Sequence, residues 1–585
     1  MKTILGSRRD QSLARLSVLV ITAVLIVGMA ACGGFAPSPF SCGPPSQNLE
    51  IQTWYDLDAV RHNLAGHHTL MNDLDSTTAG YEELASPTAH GGAGWEPIGF
   101  FYEDPFRGSL DGGKHEIRDL FINRDAESVG LFGCVYESAV IKDLGVVDFT
   151  VGGLSWVGVL VGKNDGLVVN CYCTMGNVTG DWDVGGLVGY KFRGTVSNSY
   201  YNCDEVLING QHLITIGALF DEDFEEWLTN NRFLDVNEKL SQENSYYVVN
   251  DVTDFKELLA FGQDDTLRFR LTNDLDLAGE PGFYIPYLAG EFDGDGHRIS
   301  DLSFNFSFVS QVGLFGQLAS GGTVHDIAAE NTNITASRRV GGLVGWNEGD
   351  VSDSYSTGRV TGDEYVGGLV GVSDGAVSNS CSASTVTGED FIGGLAGENA
   401  GAVSNSYSAG NVTGEEAVGG LVGVNYFGIV SNSYSSGSVA GGYVVGGLVG
   451  ANGADVSDCY STGTVTGEDF IGGLAGSSGK GSTMSNCYST GSVTCAGHDC
   501  LQVGGLVGLT GDYSPVSNSF WDTETSGQAG SDGGTGKTTA EMRDTVTFLD
   551  ADWNIVAVAD SETRNTAYIW NIVNGATYPF LSWES

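Results

Sequence analysis

The side chains best placed to do chemistry in this chain are acidic and come in pairs: Asp363 with Glu364, Glu389 with Asp390, Glu415 with Glu416, and Glu468 with Asp469. Each pair precedes a Gly-Gly-Leu string, and in the copy between the last two pairs Gly441 and Gly442 stand in its place. If the copies stack at the ~4.8 Å spacing of paired strands, the carboxylates of three consecutive pairs form a stripe. Like charges at about 5 Å repel strongly. Two outcomes follow. One is a solvated acidic edge that keeps the surface soluble and discourages lateral strand pairing. The other is a shallow divalent-cation stripe in which Asp363, Glu364, Glu389, Asp390, Glu415 and Glu416 are the metal ligands, Ca²⁺ being the hard cation such oxygens suit and a bridge to anionic polysaccharide being its use.

Other motifs fail on inspection. His115, Glu116 and Asp119 begin like the zinc-protease signature, but Asp119 stands where the second histidine is needed, and no helix is expected there to bring two imidazoles to one face. Gly371, Ser373 and Gly375 have the spacing of a nucleophile elbow, yet Ser373 takes the place that Asn347, Asn399 and Asn425 hold in sibling copies. The Gly-rich run ending in Gly536, Lys537 and Thr538 mimics a phosphate loop but has Ser531 for its first glycine. Asp293, Asp295 and His297 fall short of a calcium loop and read as a turn. Cys495 and Cys500 sit in a short insertion and are expected to close it as a disulfide; a metal site with His498 as third ligand is the alternative. No catalytic residue and no cofactor-binding residue is assigned.

What must position these side chains is a repeat. The string Val/Ile-Gly-Gly-Leu-Val/Ala-Gly begins at Val184, Val340, Val366, Ile392, Val418, Val445, Ile471 and Val503, mostly 26 residues apart from Val340 onward. A Val-Ser-Asx-Ser phrase and a Val-Thr-Gly phrase complete each unit, giving three short β-branched segments between Gly, Asn, Ser and acidic turns. Segments this short, with Gly-Gly in the middle, exclude helices. Hairpins have no reason to recur at this period. The expected fold is all-β, a right-handed parallel β-helix of about 26-residue coils in two segments, each copy pairing in parallel with the next. Leu343 and its equivalents should fill the core. Asn347, Asn399, Asn425 and Asn452 should form one ladder, and Asp353, Asn379, Asn405, Asn432, Asp458, Asn486 and Asn518 another.

The array occurs twice. A helical stretch, an Asn-Asp-Leu-Asp phrase at residues 72–75 or 273–276, and a Gly-rich turn precede each run of coils. The divisions expected are a signal peptide at 1–31, a flexible tether at 32–50, a first capped β-helix at 51–206, a linker or cap at 207–247, a second capped β-helix at 248–525 and a C-terminal lid at 526–585. Aromatic residues Trp570, Tyr578 and Trp583 dominate the lid; covering the last coil or stacking on carbohydrate would both use them.

At the N-terminus Lys2, Arg8, Arg9 and Arg15 precede an apolar run that ends in Met29, Ala30, Ala31 and Cys32. That run is signal-peptide length rather than membrane-spanning length. Its end resembles a prokaryotic lipobox with Cys32 as the lipidated residue, simple secretion being the alternative. The formal net charge of −47 repels nucleic acid and anionic membranes, so membrane contact is expected through the lipid alone.

The Gly342-Leu343-Val344-Gly345 string and its copies, the phrase from Phe292 to Leu302 and the tail from Gly533 to Met542 resemble proteins carrying the GLUG motif. The resemblance implies surface or secreted prokaryotic proteins, often adhesin-like, with no shared catalytic residues, some joined to immunoglobulin-A metallopeptidase domains. The expectation is therefore a non-enzymatic protein of the cell envelope, for adhesion, glycan binding or scaffolding, whose partner is an extracellular polysaccharide or surface protein. The competing readings are a polysaccharide lyase or glycoside hydrolase, whose carboxylates need stand only ~6.5–9.5 Å apart if inverting, and a structural spacer.

Overall fold

The computed structural model describes residues 48–100, 103–497 and 500–584. Cys32 and His498, and with them the lipidation and third-ligand readings, lie outside the described residues.

The chain is a right-handed parallel β-helix. Each unit of the second segment contributes a strand to four sheets, as in Arg338–Val340, Val344–Asn347, Asp350–Ser352 and Tyr355–Thr361. Stacked, they form sheets of seven, nine, twelve and seventeen strands, here called A, B, C and D. Register is one unit: Val366 pairs with Ile392 in sheet A, Val370 with Ala396 in B, Val377 with Val403 in C, all parallel. The three segments read from sequence are thus a correction: the Val-Gly-Gly-Leu-Val string is two strands, because the chain turns a corner at Gly-Leu. A Cβ on Gly367 would lie 1.9 Å from the Val370 carbonyl oxygen, so only glycine permits that corner.

The core is a set of columns. Leu343, Leu369, Leu395, Leu421, Leu448, Leu474 and Leu506 are fully buried, each worth about 1.5–3 kcal/mol of apolar burial. Asn399 donates to Asn425 Oδ1 and Asn425 to Asn452 Oδ1, both at 2.9 Å, with the ladder inside the coil. The second ladder takes the turns: Asp353, Asn379, Asn405, Asn432, Asp458, Asn486 and Asn518 all have φ between 47° and 54°, the left-handed conformation Asn and Asp tolerate. A buried serine column runs beside it, with Ser354, Ser380 and Ser406 each donating to the carbonyl two residues back. Cys459 and Cys487 replace serine in that column and bond the same way, which accounts for two of the cysteines as buried structural thiols.

Each segment opens with a helix over its first coil. Thr53 and Asp56 form a capping box on Trp54–Ala59, and Asp251 caps Val252–Lys256. The first segment ends under the helix Asp221–Thr229, whose Phe224 and Trp227 pack on Tyr172. The C-terminal region differs from the expected end lid. Thr535–Lys537 adds a last strand to sheet D, and residues beyond it fold back along the flank, over a row of stacked tyrosines. Tyr407, Tyr434, Tyr460 and Tyr488 stack at 4.8–5.0 Å. Trp553, Trp570 and Trp583 cover the last three of them. Like the first segment's helix, this cover is needed because a stacked tyrosine ladder buries its flat faces ring on ring and leaves the ring edges exposed along the side of the β-helix. Trp570 is fully buried there, so it offers no face to a carbohydrate.

Candidate functional site

The acidic pairs lie where sheet A begins. Glu364, Asp390 and Glu416 occupy one column in register, followed by Tyr443 and Asp469 and preceded by Arg338. Arg338 Nη2 donates to Glu364 Oε2 at 2.5 Å, which neutralises that end of the column. Asp363, Glu389 and Glu415 stand exposed in the turns before it, with Glu389 and Glu415 each donating its backbone N–H to the carbonyl of the acid one coil back. Asp469 is buried and serves the backbone instead. Its Oδ1 accepts the N–H groups of Phe470, Leu501 and Gln502, pinning the insertion that the Cys495–Cys500 disulfide closes, Cα atoms 6.2 Å apart. Among the described residues the triple of ligand-type side chains that converges within 4.8 Å is Asp293, His325 and Asp326; the six stripe acids form none.

That triple belongs to a cluster of which the sequence reading touched Asp293 alone, as part of a turn. On the outer face of sheet C, Tyr246, Arg268, Arg270, Glu291, Asp293 and His325 come from four successive strands. Arg268 holds Glu291 with two bonds, Nε at 2.6 Å and Nη2 at 2.9 Å, and Arg270 holds Asp293 at 2.9 Å. Burial opposes the Glu291 charge, but Arg268, Tyr246 and His325 outweigh it and hold its pKa at about 2. Burial likewise opposes the His325 imidazolium, and its bonds to Asp326 and Glu291 with the Asp293 charge lift its pKa. Every charge here is answered by another in the cluster. The equivalent place in the first segment pairs Lys142 with Asp111 at 2.7 Å and His67 Nδ1 with the Ser109 hydroxyl at 2.8 Å. The sequence signal that could have found it is the density of Arg, His and acid on alternate residues between 268 and 326, where later coils carry serine in one column and Asp350, Ala376, Ala402, Ile429, Asp455 and Thr483 in the other.

A cleft of about 670 Å³ lies where the two segments meet. One wall is the last coil of the first segment, with Lys191, Arg193 and Asn198; the other is the capped start of the second, with Gln263, Asp264, Asp265 and Tyr287; Phe233 comes from the connection between them. The walls are held together by non-repetitive contacts. The Tyr200 hydroxyl donates to the Ala260 carbonyl at 2.5 Å, and Gln263 Nε2 donates to the Ser199 carbonyl at 3.3 Å. Phe192 stacks on Trp346 at 6.2 Å, and Arg339 lies 4.9 Å from the Trp346 ring centre and 5.5 Å from that of Tyr190. Lys191 is 4% exposed and sits 4.5 Å from the Tyr287 ring centre; burial brings its pKa down to about 8 against the pull of Glu348. Burial pushes Glu348 up, and its carboxylate accepts from Gln317 at 2.6 Å. The Gln263 side-chain oxygen is buried without a hydrogen-bond partner, and Phe233 is 58% exposed. An exposed aromatic face on the same lining as the exposed carboxylates of Asp264 and Asp265 suits a hydroxyl-rich ligand, and the volume falls within the roughly 300–1,000 Å³ usual for ligand sites. No single motif marked the cleft.

The model of the GLUG motif matches residues 336–361, 414–440 and 441–466. The chain carries GLUG repeats. Two sequence relatives match part of this chain. Halomucin of Haloquadratum walsbyi is 35% identical over 151 residues, 25% of this chain and 2% of the relative. A protein of Evansella cellulosilytica assigned as a Gly-rich membrane protein is 36% identical over 132 residues, 22% of this chain and 14% of the relative. The chain thus spans a small part of the length of either. A crystal structure of a Bacteroides ovatus protein assigned as an immunoglobulin A1 protease aligns over 59% of this chain and 96% of its own, with 19% identity and a TM-score of 0.30.

The GLUG spacing has a physical reason in this fold. The closing glycine of each string lies where sheet B presses on the backbone of sheet A. A Cβ on Gly371 would sit 2.5 Å from the Val340 nitrogen, one on Gly423 2.6 Å from the Ile392 nitrogen, and one on Gly450 2.7 Å from the Val418 nitrogen. The residue before the valine or isoleucine that opens the strings from Val340 to Ile471 is also left-handed without being glycine: Arg339, Tyr365, Phe391, Ala417, Val444 and Phe470 have φ of 50–62°. For bulky residues such as Val444 this is strained backbone, kept because the strand must kink to let the two sheets touch.

Proposed function

We propose that this chain is a non-enzymatic repeat protein of the cell surface that binds extracellular glycan, tethered to the envelope through a lipid on Cys32. The inter-segment cleft carries the reading: it sets the exposed Phe233 ring on one lining with the exposed carboxylates of Asp264 and Asp265, where the repeat is interrupted. Extended repeat proteins favour binding along such a stack of coils. A relative named halomucin and another assigned as a membrane protein support an envelope location. The test is a glycan array with the full chain, run beside a reducing-sugar assay: retention without product is expected, and product release would overturn it. Labelling with an alkyne fatty acid, lost in Cys32→Ser, tests the tether.

A polysaccharide lyase or hydrolase is the second reading, favoured by the Tyr246, Arg268, Arg270 and His325 cluster, which places unlike groups on neighbouring coils. Its charges are already paired with one another, so a substrate would have to displace an arginine from its carboxylate.

A further inference from the structure

We infer that the cleft selects neutral, hydroxyl-rich glycans and rejects uronic-acid polymers, with Asp264 and Asp265 as the residues that set this choice. The inference rests on the glycan reading above and deepens it. The charges lining the cleft are Lys191, Arg193, Asp264, Asp265 and Glu348. Lys191 is buried against the Tyr287 face and hydrogen-bonds Gln317 at 3.5 Å, so its charge is committed inside the protein. Glu348 is committed likewise to Gln317. Arg193 lies 5.2 Å from the Phe192 ring centre. What faces an incoming ligand is therefore one cation against the exposed carboxylates of Asp264 and Asp265.

Asp264 is held by its own turn. Asp264 follows the helix Leu258–Phe261, and its Oδ1 accepts from the Thr266 N–H at 2.9 Å and hydroxyl at 2.6 Å. That turn fixes the carboxylate and leaves Oδ2 as the acceptor available to a ligand. Carboxylates held in this way accept hydrogen bonds from neutral hydroxyls, and charge-assisted bonds of that kind are about twice as strong as neutral ones. Against a uronate the same oxygens are like charges at hydrogen-bond distance, in a chain of formal net charge −47 that repels a polyanion before contact. Phe233 supplies the face on which a sugar ring lies.

The test uses the full chain and two probe sets in calorimetry: neutral cello-, xylo- and manno-oligosaccharides, and oligogalacturonates with alginate oligomers. The variants are Phe233→Ala and the double change Asp264→Asn with Asp265→Asn; asparagine keeps the Oδ1 acceptor that holds the turn, and an unchanged melting temperature checks the fold. Neutral oligosaccharides should bind, weaken at least tenfold in both variants, and outbind the uronates at every salt concentration. Uronate binding equal to or tighter than neutral binding would overturn the inference while leaving the glycan reading in place. Neutral binding untouched by the double change would remove the two aspartates from it. Binding of neither set, together with a blank glycan array, would sink both.

Discussion

The Trp570 indole N–H donates to the Asp458 carboxylate at 3.2 Å, across 112 residues of chain. In the first segment Trp227 donates to Asn198 at 2.8 Å, and Asn198, like Asp458, is a left-handed turn residue beside the tyrosine column. Both segments therefore close the same weakness with the same pair, a tryptophan ring over the ladder and its N–H on the turn. Trp570→Ala should cost about 3–5 kcal/mol, the range for a fully buried tryptophan. In urea melts the loss should come with faster proteolysis within residues 538–584; a melt within about 1 kcal/mol of wild type would mean the cover is not seated on the ladder.

The GLUG glycines give a paired test. Gly423→Ala places a methyl 2.6 Å from backbone atoms of the neighbouring sheet, whereas a methyl on Gly530 meets nothing within 4 Å. We expect the first to destabilise by about 3 kcal/mol, at the upper end of overpacking, and the second to change the denaturation midpoint hardly at all. Equal effects would show that the two sheets do not meet at the motif.

Glu398 interrupts an apolar column on sheet B, between Val372 and Val424. Burial raises its pKa to about 7, with Asp374 adding to the rise and Arg339 opposing it. The folded state therefore holds this proton more tightly than the unfolded chain does, and stability is full below the ordinary glutamate value near 4.5 and falls as pH rises to about 7. The loss across that window is on the order of 2–3 kcal/mol. Glu398→Val, which restores the column, should raise stability at pH 8 by a similar amount and leave it nearly unchanged at pH 4. A variant with the same pH slope as wild type would remove Glu398 as the source.

For the acidic edge, calcium titration of the full chain decides between the two chemistries weighed from the sequence. With Arg338 on Glu364 and no convergent triple among the six acids, we expect no saturable heat and no rise in melting temperature. Saturable heat that disappears in Glu389→Gln with Glu415→Gln would establish the stripe as a cation site.

Much of this was legible in the sequence because stacking turns a constant offset into a line in space. The leucine column, both Asn ladders, Ser373 as a stand-in for asparagine and the acid column of Glu364, Asp390 and Glu416 all follow from adding one repeat length. The Gly-Leu corner was not legible: the same residues read equally well as one strand, and only the close approach of two sheets shows why a corner is required there.

One sequence of 585 residues thus determined the coil and its columns, since parallel register makes each copy bind the copy before it. Tertiary structure alone decided what lies on the flanks: the tryptophans over the tyrosine ladder, the charge cluster around Glu291, and the cleft between the segments. Those depend on contacts such as Lys191 with Gln317, 126 residues apart, which follow no period. They are set by how two irregular surfaces happen to fit, and the repeat carries no information about that.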